Sequence, residues 1–203
     1  MAKTETERKF DYMVSKIIWP PFKAMGYKKS GNNFRYYNSE EGWGKIVNFQ
    51  KSMFYNKENI HFTVNVGIFS EKVYQYFSQS PGDKFKEYNC TIRERIGSLM
   101  NTNDTWYDIN EETDVDKIYL KIEQIFVKYV HPFLNKFQSE KDILNELLNK
   151  TSLNIPEIKA LYYNGYAQRA MQELEKEINN ARKAESYRER LLELKQELDN
   201  ITN

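Results

Sequence analysis

Arg93 and Arg95 are separated by one residue, so an extended strand that carries them points both to the same side. Two guanidiniums held on such a scaffold can grip a carboxylate or phosphate bidentately. Amides add directional hydrogen bonds. Asn48 and Gln50 share one strand face, and Asn65 lies opposite the apolar face of the next strand. Asn48, Gln50, Asn65, Arg93 and Arg95 are therefore the ligand-binding candidates. Two blander explanations stay open beside this one: a plain solvent face, or an Arg95 bound to a structural aspartate such as Asp104 or Asp108.

Other reactive side chains point less clearly to chemistry. His61 and His131 are the two histidines, and neither has Asp, Glu or Cys at ligand spacing, so no metal site is expected. His131, ahead of Pro132, reads as a capping or packing residue. Cys90 is the single cysteine, which excludes an internal disulfide and a cysteine-based zinc site. At the start of an apolar-patterned segment it reads as a small core residue. A Cys90–His dyad stays open, because catalytic partners need not be neighbours in sequence. The acids Asp104, Asp108, Glu111, Glu112, Asp114 and Asp116 lack the alternation and central glycine of a calcium loop. Glu111 to Asp116 suit the start of a helix instead. Gly42-Trp43-Gly44 has no following Lys-Ser/Thr, so no phosphate-cradling loop is present. No catalytic residue and no cofactor is expected, and the enzyme question leans towards no.

Composition narrows the partners. Hydrophobic residues make up 40% of the chain and charged ones 29%, enough for a real core under a solvated surface. The formal net charge of +1 argues against a dedicated nucleic-acid binder. Residues 1–60 nevertheless hold eleven Lys/Arg against six Asp/Glu. Aromatics interleaved with cations at Tyr27, Lys28, Lys29, Phe34, Arg35, Tyr36 and Tyr37 suit base stacking, but half of them must line the core. Charge in MAKTETERKFDYM, where a signal peptide needs an apolar stretch, and the absence of a long apolar run imply a cytoplasmic protein with no membrane span.

Hydrophobic periodicity supplies the elements that position these residues. Residues 5–18 follow a helical period and end at Trp19-Pro20-Pro21, which breaks or kinks the helix. Phe34–Tyr37, Trp43–Ser52 and Ile60–Phe69 alternate as strands, with the short loops 38–42 and 55–59 between them, and so pair antiparallel. Val73, Tyr74 and Phe77 suggest a short helix. Cys90–Leu99 reads as a fourth strand, although TIRERIG also suits a helix start, and Thr105–Ile109 as a fifth. From Val115 to Phe137 a broad apolar stripe marks one long helix, set to cover one face of the sheet. The expected fold is α+β: an antiparallel sheet of four to five strands with helices on one face, over residues 1–137. Residues 138–203 form a helical C-terminal extension. There, two heptad frames offset by three residues suggest either a coiled-coil rod or a helix folded back.

Several phrases in the strand region occur together and in order: Gly26-Tyr27-Lys28-Lys29 with Asn33-Phe34, Val47-Asn48-Phe49-Gln50-Lys51-Ser52, and Phe62-Thr63-Val64-Asn65-Val66-Gly67. Cys90 with Arg93, Arg95-Ile96-Gly97, Leu99 and Trp106-Tyr107 follow. Over residues 10–137 this set resembles the bacterial domain of unknown function DUF4304. Tyr107 departs from it, standing where a second Trp is expected. The resemblance implies an α+β fold in a bacterial cytoplasm and no assigned reaction.

The expected function is a non-enzymatic binding or protein-interaction module. Its expected partner is a protein or a small anionic ligand, and the C-terminal helix is expected either to form a homodimer or to dock. A bacterial immunity or defence accessory role fits that description. The alternative is an enzyme acting on a phosphorylated or nucleic-acid substrate, with Arg93 and Arg95 as the anion clamp.

Overall fold

The computed structural model describes residues 2–54, 56–181 and 184–202. The chain divides into two compact units. One comprises Met1–Phe69 and Pro81–Gln138, the other Ser70–Ser80 and Ser139–Asn203. The boundary near residue 138 lies close to where the apolar pattern changes. The excursion Ser70–Ser80 corrects the expected continuous first domain, because Val73 belongs to the core of the second unit.

In the first unit a six-stranded sheet runs β1 (Lys28–Ser30), β2 (Asn33–Asn38), β3 (Trp43–Lys51), β4 (Asn59–Ser70) and β5 (Ile92–Arg95), in that spatial order. The sixth strand, β6 (Tyr107–Asn110), also pairs with β4. β1 with β2, β2 with β3, and β4 with both β5 and β6 pair antiparallel, and β5 and β6 meet β4 at Asn65–Ile68 and Asn59–Phe62 respectively. The alternation read from sequence holds through β2, β3 and β4. Phe34, Val47, Phe49, Phe62, Val64 and Val66 are all buried on one face. In the hairpin loop 55–59, Tyr55 lies outside the described residues.

That face is covered by two helical runs. The first comprises α1 (Glu5–Tyr12), a π-helical turn (Met13–Ile18) and α2 (Trp19–Ala24). Phe10 meets Phe62 edge-on, with centroids 5.2 Å apart. Of the two outcomes expected at Trp19-Pro20-Pro21, a break or a kink, the break does not occur. Prolines lack the N–H for an i−4 bond and crowd the carbonyl behind them. A widened turn relieves both, and the Trp19 N–H bonds back five residues to the Val14 carbonyl. The second run repeats the device: α5 (Val115–Ile125) passes through a π turn (Phe126–Val130) into α6 (His131–Asn135). Here the His131 N–H reaches the Phe126 carbonyl just ahead of Pro132. Phe126 stacks on Phe49 at 5.7 Å and 7°. Each such buried side chain contributes about 1.5–3 kcal/mol.

The opposite face is not wholly polar. Residues 81–91, with short 3-10 turns at Gly82–Lys84 and Glu87–Asn89, lie over one end of it. Phe85 stacks on Phe69 at 4.7 Å, and Ile46 is buried there as well. The segment can approach because the sheet is floored by glycines: a Cβ on Gly44 would meet the Phe85 ring at 2.7 Å, and one on Gly67 would meet Cys90 Sγ at 2.6 Å. Cys90 precedes the strand rather than starting it. After Arg95 the backbone turns into the short helix α4 (Ile96–Leu99), so both readings of TIRERIG apply, one after the other.

The second unit holds α3 (Glu71–Tyr74), α7 (Glu140–Asn149), α8 (Ile155–Tyr163), α9 (Ala167–Asn180) and α10 (Glu185–Thr202). Capping boxes at Ser139 and Asn154 start α7 and α8. Leu144, Leu147, Ile158, Leu161, Leu174, Leu191, Leu194 and Leu198 form one core with Val73. This corrects the rod. The offset between the heptad frames is a change of helix: Ala184 N–H bonds to the Ala181 carbonyl, and α10 starts afresh. Arg182 and Lys183, within the offset, lie outside the described residues. Lys195 pairs with Glu175 at 2.8 Å and Lys159 with Glu197 at 2.7 Å, so α10 lies against α9 and α8. The leucines that suggested a seam are thus buried within their own unit. No helix among the described residues is long and apolar enough to cross a membrane.

Candidate functional site

Beyond the part covered by residues 81–91, the second sheet face carries a polar field. Strand register sets its layout: Arg95 pairs with Asn65, Arg93 with Gly67, and Asp108 with His61. Asn65 is the hub, only 6% exposed. Its Nδ2 donates to Gln50 Oε1 at 2.8 Å and to Asn48 Oδ1 at 3.2 Å. Asn48 Nδ2 in turn donates to Asn33 Oδ1 at 2.9 Å, and Arg95 Nε donates to Asn65 Oδ1 at 3.2 Å. A buried amide without partners would cost about 1–3 kcal/mol, so this network fixes the side chains it joins.

Four of the five candidates, Asn48, Gln50, Asn65 and Arg95, are therefore directly linked. Arg93 lies on the same face and shares with Asn65 and Arg95 a cleft of 250 Å³, also lined by Val66, Glu87 and Glu94. The two guanidiniums do not share a ligand. Arg95 Nη1 donates to Asp104 Oδ2 at 2.7 Å, and Arg93 Nη2 donates to Glu87 Oε1. The Asp104 carboxyl is held below its usual range by its hydrogen bonds from Arg95 and Trp106.

Sequence reasoning left out the next row of this face. Trp106 donates from Nε1 to Asp104 Oδ2 at 2.9 Å. The His61 ring stacks on the Trp106 indole at 4.8 Å and 7°, and the Arg95 guanidinium lies 5.6 Å from the same ring. His61 Nδ1 bonds Asp108 Oδ1 at 2.7 Å, a partner that spacing along the chain could not show. The acid comes across the sheet rather than along the chain. Thr63, fully buried, donates to the Thr105 carbonyl at 2.8 Å and anchors the loop before Trp106. The parity of His61 and Thr63 with Asn65 was the available signal; the register of β6 was not legible. On the far side of Trp106 a second cleft, of 460 Å³, is lined by Asp108, Lys117, Ile118 and Lys121 among others.

The remaining sequence candidates have structural roles. His131 stacks on Phe22 at 5.0 Å, and burial lowers its pKa. Burial pushes the Cys90 thiol well up, which makes it a poor nucleophile. Asp114 caps α5 by accepting from the Lys117 N–H at 3.2 Å. Among the described residues no three His, Cys, Asp or Glu side chains gather to hold a metal ion.

Searches of curated proteins and of solved structures return no significant match. The family model of the domain of unknown function DUF4304 matches residues 18–136, more than half of the chain and all six strands, and the chain belongs to that family.

Proposed function

We propose that this is a non-enzymatic protein-interaction module whose partner docks on the polar sheet face, with Trp106 and Arg95 at the centre. The observation that supports this most is the indole of Trp106, set just ahead of β6 against His61 and Arg95, with one cleft lined by Trp106 and a second lined by Arg95. Trp and Arg supply much of the energy at protein interfaces. The charge balance separates the partner classes. Glu87, Glu94, Asp104 and Asp108 stand among Arg93, Arg95 and His61, so a nucleic-acid backbone meets as much repulsion as attraction. A small anion must displace Glu87 or Asp104. A protein can instead offer a carboxylate to the arginines and donors to the acids over one surface. The cytoplasm is the setting we propose for it.

Comparative capture tests the reading. Wild type and the variant carrying Arg93→Ala with Arg95→Ala are used as baits at matched thermal stability. The expected outcome is a partner, a second copy of the chain included, that wild type retains and the variant loses. Identical recoveries would contradict it. One observation favours an enzyme acting on a phosphorylated or nucleic-acid substrate: the His61–Asp108 hydrogen bond orients an imidazole for proton transfer. Turnover of a chromogenic phosphodiester that His61→Ala abolishes would establish that alternative.

A further inference from the structure

At the opposite edge of the sheet, β1 and β2 place Lys28 directly across from Arg35. Like charges in facing positions of an antiparallel pair repel, and the pairing is weakened unless an opposite charge compensates. A third cation, Lys84, comes from the turn at Gly82–Lys84, and the three line one cleft of 570 Å³ with Tyr37, Ser39 and Asp83. Arg35 Nη1 donates to the Phe85 carbonyl at 3.4 Å, which ties its guanidinium to that turn. Asp83 is the one acid among the described lining residues. Among the described residues, no carboxylate makes an ion pair with Lys28, Arg35 or Lys84. This is the reverse of the polar field, where each arginine already has its acid.

We propose that this cleft binds a phosphate monoester on a small molecule. Three cations and the Ser39 hydroxyl around one cavity match a group that carries about −1.5 to −2 charges and three acceptor oxygens. A lone carboxylate would need one guanidinium only. The volume is in the range of small-ligand sites, roughly 300–1,000 Å³, and leaves room for a body of nucleoside size with Tyr37 as an apolar wall. The inference does not depend on the partner proposed above, since no lining residue is shared with the Trp106 field.

Thermal denaturation with added ligand tests it. Adenosine 5′-monophosphate and inorganic phosphate are expected to raise the Tm of wild type, by on the order of 5 °C at a hundredfold excess over Kd. Adenosine is expected to leave it unchanged. Phosphate also stabilises proteins without binding a site. The variant carrying Lys28→Gln with Arg35→Gln measures that general effect, and it should lose the excess gain. Without ligand, this variant loses both the Lys28–Arg35 repulsion and the Arg35 bond to the Phe85 carbonyl, so each protein's gain is read from its own ligand-free Tm. Equal gains in variant and wild type, or none in either, would overturn the proposal. A single-stranded oligonucleotide without a terminal phosphate that gives the full gain would overturn it in favour of a nucleic-acid backbone.

Discussion

Asn65 shows how one buried amide organises a surface. It accepts from Arg95 and donates to Asn48 and Gln50, so three side chains from two other strands take their positions from it. Asn65→Ala removes all three bonds and leaves their partners to water or to nothing. Urea denaturation is expected to show a loss of about 1–3 kcal/mol; a loss below about 0.5 kcal/mol would mean that the network does not order the face. His131 acts on the other side of the sheet and through pH. Its folded pKa lies below the ordinary 6.5, owing to burial. The folded protein therefore binds fewer protons there than the unfolded chain, and stability rises with pH across that window. As pH falls through 6.5 towards the depressed value, this contribution is lost. His131→Phe keeps the ring against Phe22 and should flatten the part of the stability–pH curve that falls as pH drops through 6.5. An unchanged slope would assign that dependence to other groups.

Elements show what was legible and what was not. Alternation placed the faces of β2, β3 and β4 correctly, because a half-buried strand imposes a period of two whatever its neighbours. The same rule put Arg93 and Arg95 on the side of Asn65. It could not show which strands are adjacent, so the acids that reach Arg95 and His61, Asp104 and Asp108, remained alternatives or went unpaired. Nor could it show that residues 81–91 fold over the polar face, since burial of Phe85 is written in Gly44 and that of Cys90 in Gly67 rather than in any periodicity. The two π turns were equally hidden: a proline in a helical pattern signals a break or a kink, and here a wider turn absorbs it. Gly67→Ala tests the covering segment. Its methyl would meet Cys90 Sγ at 2.6 Å, and the variant should lose about 1–3 kcal/mol with faster amide exchange over residues 81–91. Unchanged exchange there would show that the segment does not depend on that close approach.

At the scale of the whole chain, the apolar pattern changes near residue 138, close to one boundary between the two compact units, but a heptad frame alone does not distinguish a projecting seam from a core helix. Leu191, Leu194 and Leu198 satisfy both patterns and are buried within the helical unit. The excursion Ser70–Ser80 was legible as a short helix but not as part of the helical unit, because the spacing of Val73, Tyr74 and Phe77 does not say which core it joins. The functional proposal therefore rests on the sheet unit and its exposed polar field. The direct measurement is a two-dimensional nitrogen–proton NMR titration of the whole protein with the partner that capture recovers. The indole N–H of Trp106, the guanidinium N–H groups of Arg93 and Arg95, and the side-chain amides of Asn48, Gln50 and Asn65 are expected to shift together. Shifts confined to the Lys28–Arg35 cleft or to the helical unit, with the Trp106 indole unmoved, would contradict the account.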